Sequence, residues 1–208
     1  MKQRWVVLLL VLFSGAAAQA GARAEYVISS EKSKLQISVY KEGLFKAFGH
    51  DHLISANRLS GRALFNEEML EDSSVDLTVE AASLRVIDPD ESDSDRQQVQ
   101  STMAGKSVLD GEKFTAIRFS STGVREGKKT GAGWDITLEG SLTLHGVEKP
   151  ISLPLHLSEK DGELRADGEV SILQTDFGIT PIKVGGGAVK VKNKIRIRFD
   201  VVADKRRP

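Results

Sequence analysis

WDITLEGSLTLHGVEKPISLPLHL, residues 134–157, is the stretch that decides the fold. Apolar and polar residues alternate along both of its arms, from Ile136 to Leu144 and from Ile151 to Leu157. Successive side chains of a β-strand point to opposite faces, so each arm has one apolar face. Residues 145–150, with their glycine and proline, predict the connection between the arms. Gly140, inside the first arm, predicts a bend or a close backbone approach. The stretch therefore predicts a β-hairpin in the wall of a barrel.

The same alternation recurs at short spacing along the rest of the chain. It is present at 35–39, 59–65, 75–80, 117–119 and 164–172, and it is clearest in the last strand. There the inward set is Val189, Val191, Ile195, Ile197, Phe199 and Val201, and the outward set is Lys190, Lys192, Lys194, Arg196 and Arg198. About eight strands with one apolar face each predict an all-β, antiparallel sheet, closed on itself or folded into a sandwich.

One interruption in the strand pattern predicts a short helix. Residues 88–91 offer a cap and an acidic first turn, and Ser92 with Asp95 resembles a capping box. Val99 and Met103 share a helical face, and Gly105 ends the segment. We expect this helix to cover one open end of the barrel.

The N-terminus has the pattern of a secretory signal peptide. Lys2 and Arg4 precede a nine-residue apolar core, and small residues follow as far as Ala24. We therefore expect a signal peptide at 1–24, one barrel domain at 25–204 and a short tail at 205–208, exported to a bacterial periplasm or exterior. The chain contains no cysteine, which excludes disulfides, thiolate metal sites and cysteine nucleophiles.

The charge balance argues against a nucleic-acid-binding protein, and the absence of known catalytic motifs argues against an enzyme. Lys plus Arg and Asp plus Glu number 29 each, so no overall field favours nucleic acid. The sequence contains neither a G-x-S-x-G elbow nor a recognisable Ser-His-Asp set. We expect no enzymatic activity and no cofactor.

The most chemically reactive segment is His50-Asp51-His52. In an extended chain both histidines project to one face, close enough to share a metal, with a third ligand supplied through the fold by His145 or His156. A metal protein or enzyme centred on this pair is therefore the alternative hypothesis. The favoured prediction places His50 and His52 at the barrel rim, where they contact the polar head of a ligand.

Several ordered segments resemble the YceI-like family. Residues 140–153, GSLTLHGVEKPISL, are similar to its G-x-L-T-x-x-G-x-x-x-P-[VI] signature, and 113–121 and 176–179 resemble its F-x-x-I-x-F-x-S and D-F-G-I segments. The resemblance implies a lipocalin-like barrel, periplasmic or secreted, that holds a long apolar lipid such as a polyisoprenoid. Two features depart from the family. Its members often carry Arg at the position of Gln174, and residues 48–54 are longer and richer in histidine than usual.

Together the patterns predict an apolar ligand chamber and a charged outer surface. The candidate wall residues are Phe119, Leu142, Leu153, Phe177, Ile197 and Phe199. A barrel whose interior is filled by its own side chains is a third possibility. The cationic face of the last strand predicts either transient contact with an anionic membrane or pairing with Asp167 and Glu169 on a neighbouring strand.

Overall fold

The computed structural model describes residues 23–42, 51–184 and 189–207. Nearly all of the predicted signal peptide, the histidine at position 50 and the glycines at 185–187 lie outside the described residues. Within the part that is described, no helix is long and apolar enough to cross a membrane.

The described residues form fourteen strands and one α-helix. The strands are β1 (Ala24–Ile28), β2 (Lys34–Val39), β3 (Lys41–Glu42), β4 (His52–Ala56), β5 (Leu59–Phe65), β6 (Ser74–Glu80), β7 (Leu84–Val86), β8 (Ala116–Thr130), β9 (Gly133–Leu144), β10 (Val147–Lys160), β11 (Glu163–Leu173), β12 (Lys183–Val184), β13 (Val189–Val191) and β14 (Lys194–Lys205). The helix is α1 (Asp93–Ala104), and short 3-10 turns occur at Leu70–Asp72, Ala81–Ser83 and Gln174–Phe177.

Eight of these strands close into a barrel in the order β1-β5-β6-β8-β9-β10-β11-β14, with β14 returning to β1. Every pairing is antiparallel, so the predicted all-β barrel with a single helix is confirmed. β14 divides its free edge between two partners: Ala203–Lys205 pair with β1, and Arg196–Asp200 pair with β2. β2, β4 and β7 therefore continue the sheet beyond β14, outside the closed barrel, and are called the flap here.

The hairpin at 134–157 is formed by β9 and β10, but the predicted connection at 145–150 is wrong. Leu144 pairs directly with Val147, and the turn is only His145-Gly146, with φ of 52° and 74°. Two positive φ angles are typical of a type I′ turn, whose twist matches the strands. Pro150 lies inside β10, which is tolerated because β10 pairs with β11 only from Leu155 onward.

Gly140 makes the close approach that its position in the arm predicts. A Cβ at this position would lie 2.5 Å from two ring atoms of Phe119 and 2.6 Å from the Ser120 carbonyl oxygen. The aromatic ring thus covers the glycine, and the two strands pack without a gap at this point in the wall.

One end of the barrel is closed by aromatic side chains. Phe65 makes edge-to-face contacts with Tyr26 and Trp134, with ring centroids 6.3 Å and 5.4 Å apart. Tyr26 is 1% exposed, and its hydroxyl donates to Glu159 Oε1 at 3.1 Å. Burial first, and then the negative charge of Glu159, raise the pKa of Tyr26 to about 12.

The opposite end is covered by α1. The predicted N-cap Ser92 is correct, but residues 88–91, predicted to supply a cap and an acidic first turn, precede the helix. Ser92 Oγ accepts from the Asp95 amide at 3.1 Å, and Gly105 ends the helix. Gln100 ties the helix to the flap, because its side chain accepts from the Val86 amide and donates to the Leu84 carbonyl, both at 2.9 Å.

Candidate ligand-binding cavity

A cavity of about 230 Å³, here called the inner chamber, lies within the barrel. Its lining is apolar except for Arg118 and Gln174. Five of the six predicted wall residues contribute to it: Phe119, Leu142, Leu153, Ile197 and Phe199. Their side chains meet there because each occupies the inward face of β8, β9, β10 or β14. Their contact with a ligand stays a prediction.

Phe177 lies outside this lining. It is 2% exposed and packs with Leu144, Ile172 and Ile179 in a separate apolar cluster. The reason is local: Phe177 ends the 3-10 turn after β11, so strand alternation no longer sets the direction of its side chain. Ile172 and Ile179, which the sequence did not single out, line the inner chamber and connect it to this cluster.

A second and more polar cavity of about 470 Å³ adjoins the first and is partly open to solvent; we call it the antechamber. Val39, Ile54, Met103, Val108 and Gln174 line both cavities. The polar residues of the antechamber come from the flap, α1 and the strands β3 and β13: Lys41, His52, Glu91, Asp95, Gln98, Thr102 and Lys190. An apolar space therefore leads into a space with hydrogen-bonding walls.

His52 is held at the antechamber by a buried carboxylate. Asp88 is 4% exposed; its Oδ1 accepts from the Leu53 amide at 2.5 Å, and its Oδ2 lies 2.7 Å from His52 Nδ1. A carboxylate accepts, so Nδ1 carries the proton and Nε2 is the ring nitrogen that remains for a ligand. The Arg96 guanidinium donates to the carbonyl oxygens of Asp88 and Glu91 at 2.8 and 2.9 Å, which fixes the turn before α1.

The sequence did not indicate this pairing. Asp88 had the pattern of a helix cap, and it lies 36 positions from His52 with no local signal to connect them. Asp88 lies just after β7, and His52 is the first residue of β4. The two side chains meet only because β4 and β7 pair in the flap.

The predicted third metal ligand is also corrected by the structure. His145 Nδ1 lies 3.2 Å from the Phe177 carbonyl oxygen, and His156 Nδ1 lies 2.8 Å from Asp135 Oδ1 on the outer face. Among the described residues, His52 instead shares a 4.8 Å cluster with Asp88 and Glu91. A divalent ion bound there would compete for the carboxylate oxygens of Asp88, which already accept hydrogen bonds from the Leu53 amide and His52 Nδ1. His50 lies outside the described residues.

Two of the outward cations of β14, Arg196 and Arg198, are paired with Glu169, as predicted. Arg196 Nε and the Arg198 guanidinium lie 3.2 Å from the two carboxylate oxygens of Glu169. Asp167 stands opposite Asp200 in the register, and Asp200 binds Arg165 with two hydrogen bonds of 2.7 and 2.5 Å. The middle of this outer face is therefore close to neutral.

A closed antiparallel barrel around an apolar chamber, with one helix over one end, is a lipocalin-like barrel. The chain belongs to the YceI-like family, whose domain model matches residues 26–203. Among its relatives, a UPF0312 protein of Shewanella oneidensis is 29% identical over 170 residues, covering 78% of this chain and 81% of the relative. A UPF0312 protein of Vibrio parahaemolyticus is 30% identical over 130 residues, covering 62% of this chain and 61% of the relative.

Solved structures show the same fold. BcnA of Burkholderia cenocepacia matches with a TM-score of 0.66 at 19% identity, covering 85% of this chain and 99% of that one. A polyisoprenoid-binding domain from Saccharophagus degradans, implicated in plant cell wall breakdown, matches with a TM-score of 0.61 at 11% identity, covering 88% and 99%.

Proposed function

We propose that this protein is an exported binding protein, without catalytic activity, that holds one long-chain apolar lipid of the polyisoprenoid kind for carriage or storage. The observation that carries the proposal is the inner chamber, whose lining is apolar except for Arg118 and Gln174. An alkyl or prenyl chain that leaves water for such a surface gains about 25 cal/mol per Å² of buried apolar area. The polyisoprenoid-binding domain of similar fold supports the class of ligand, and the signal-like pattern of residues 1–24 supports export.

The two adjoining cavities give the ligand a direction. The lipid tail occupies the inner chamber, and its polar head lies in the antechamber, because most of the hydrogen-bonding side chains that line the two cavities are there. His52 Nε2 accepts a hydrogen bond from the head, with Asp88 holding the ring in place. Gln174 stands where the two cavities meet, and its Nε2 already donates to the Lys192 carbonyl at 2.8 Å. Its amide oxygen is thus the second acceptor for a hydroxyl-bearing head.

Mass spectrometry of an organic extract of the purified protein tests the proposal directly. We expect a long-chain lipid in the wild type and its loss in Leu142→Asp or Ile197→Asp, since a carboxylate in an apolar wall is costly. Ser171→Asp is the matched control, because Ser171 is exposed on β11. A folded Leu142→Asp variant that retains undiminished lipid would contradict the proposed tail site. A wild type that neither contains nor binds lipid would favour a filled barrel.

A metal protein centred on His52 is the second candidate, favoured by the cluster with Asp88 and Glu91. It predicts stoichiometric zinc or copper in the purified protein, lost in His52→Ala, whereas the lipid proposal predicts metal well below stoichiometry. Elemental analysis of the same preparations that are extracted for lipid separates the two.

A further inference from the structure

The antechamber lies beside a small sheet of β12, β13 and β3 that is rich in lysine. The described ranges 39–42, 180–184 and 189–194 contain five lysines and a single carboxylate, Glu42. Four of these lysines are called the mouth lysines here: Lys183, Lys190, Lys192 and Lys194. Residues 25–208 as a whole carry 26 basic and 29 acidic side chains, so this end is positive on a chain of slightly negative charge.

Among the described residues, no carboxylate lies within 4.0 Å of the side-chain nitrogen of any mouth lysine, and four such lysines lie close together at this end. Elsewhere, Lys32 binds Asp204 and Glu163 at 2.5 and 3.1 Å, and Arg196 and Arg198 bind Glu169. Lys183 and Lys190 are direct cross-strand partners, and Glu42 stands on the other side of Lys190. Like charges that face each other across strands destabilise a sheet. An anionic surface over this end would remove that repulsion.

An aromatic residue lies within the same cationic group. Lys192 Nζ and the Arg196 guanidinium carbon lie 5.8 and 5.7 Å from the centre of the Tyr40 ring. Tyrosine with basic neighbours is typical of protein surfaces at the membrane interface, where the ring meets apolar material and the hydroxyl meets water. Three further acidic groups lie nearby: Asp51, whose Oδ1 accepts from the Lys41 amide of β3 at 2.9 Å, and Glu91 and Asp95 on the α1 side of the antechamber.

We propose that the mouth lysines dock this end of the barrel on an anionic phospholipid bilayer. Lys190 also lines the antechamber, so docking would bring the antechamber to the membrane surface, where an apolar ligand can pass without crossing water. The sequence predicted membrane contact through the cationic face of the last strand. In the middle of that strand Arg196 and Arg198 are paired with Glu169, so we place the contact on the mouth lysines instead. It is independent of the ligand, because the charged surface does not depend on what fills the barrel.

Vesicle co-sedimentation tests the proposal with a matched pair of variants. Lys183→Gln with Lys194→Gln removes two exposed mouth charges. Lys128→Gln with Lys160→Gln removes two exposed charges near the closed end. The two ends are about 36 Å apart along β14, given its 12 residues and a rise of about 3.3 Å per residue. Circular dichroism confirms that both variants are folded.

We expect the wild type to bind vesicles of phosphatidylglycerol and phosphatidylcholine, and not phosphatidylcholine alone, with binding that weakens as salt is raised. The mouth variant should bind about 25-fold less tightly, or about fivefold per lysine. The closed-end variant should bind as the wild type does. Absence of binding to anionic vesicles, or equal loss in both variants, would overturn the proposal. Binding to an acidic protein without binding to vesicles would overturn it as well and would indicate a protein partner.

Discussion

Removal of the Tyr26 hydroxyl, at the closed end of the barrel, should change how the free energy of unfolding varies with pH above about 10. Tyr26 is 1% exposed and donates to Glu159, and its pKa is raised from 10.0 to about 12. A raised folded-state pKa means that the protonated phenol stabilises the native state. This contribution is fully present below pH 10 and is lost as pH rises through 12. For these two pKa values the loss amounts to about 1.4 kcal/mol at pH 11 and about 2.3 kcal/mol at pH 12.

The measurement is urea unfolding of the wild type and Tyr26→Phe at pH 8 and pH 11. At pH 8 the wild type should be the more stable, because Phe leaves Glu159 without its phenol donor. At pH 11 the difference should shrink by about 1.4 kcal/mol, since Phe does not titrate. A Tyr26→Phe difference that stays constant between the two pH values would refute the reasoning.

Other substitutions test the site and the wall. His52→Ala should leave the fold intact and weaken lipid binding by about 0.5–1.5 kcal/mol through loss of one hydrogen bond. His156→Ala, on the outer face, is the control and should leave lipid binding unchanged. Equal losses of affinity in the two variants would show that His52 does not contact the lipid. Gly140→Ala should destabilise the protein by about 1–3 kcal/mol, because the new Cβ would overlap the Phe119 ring. Gly123→Ala meets nothing within 4 Å and serves as its control in urea unfolding. Far-ultraviolet circular dichroism should show mainly β-structure, and a helix content above about a third would contradict the fold.

The inward faces of the barrel could be predicted from the sequence because they depend on local periodicity. The alternation that marks Leu142 and Ile197 as inward holds for any pairing of those strands, since it follows from the geometry of one strand. The same holds for α1, whose beginning at Ser92 and end at Gly105 depend on hydrogen bonds within a few residues.

Only the tertiary structure decided which strands are neighbours and what lies at the ends of the barrel. Periodicity does not specify a partner, so it did not predict that β14 divides its edge between β1 and β2 or that a flap carries His52 to Asp88. It also left the barrel and the sandwich open, because both satisfy the same one-sided apolar pattern. The resemblance to the YceI-like family, and not the periodicity, predicts the barrel.

The predictions for Pro150 and Phe177 are wrong for the same physical reason. Pro150 was expected to end a strand, yet it is accommodated where β10 has β9 as its only partner, which the sequence around it does not indicate. Phe177 was expected in the wall, but the turn after β11 directs its side chain into a neighbouring cluster. Strand and helix patterns are set by forces between residues close in sequence. Strand pairing, burial of a carboxylate and the shape of a cavity depend on contacts between distant segments, and these exist only once the chain has folded.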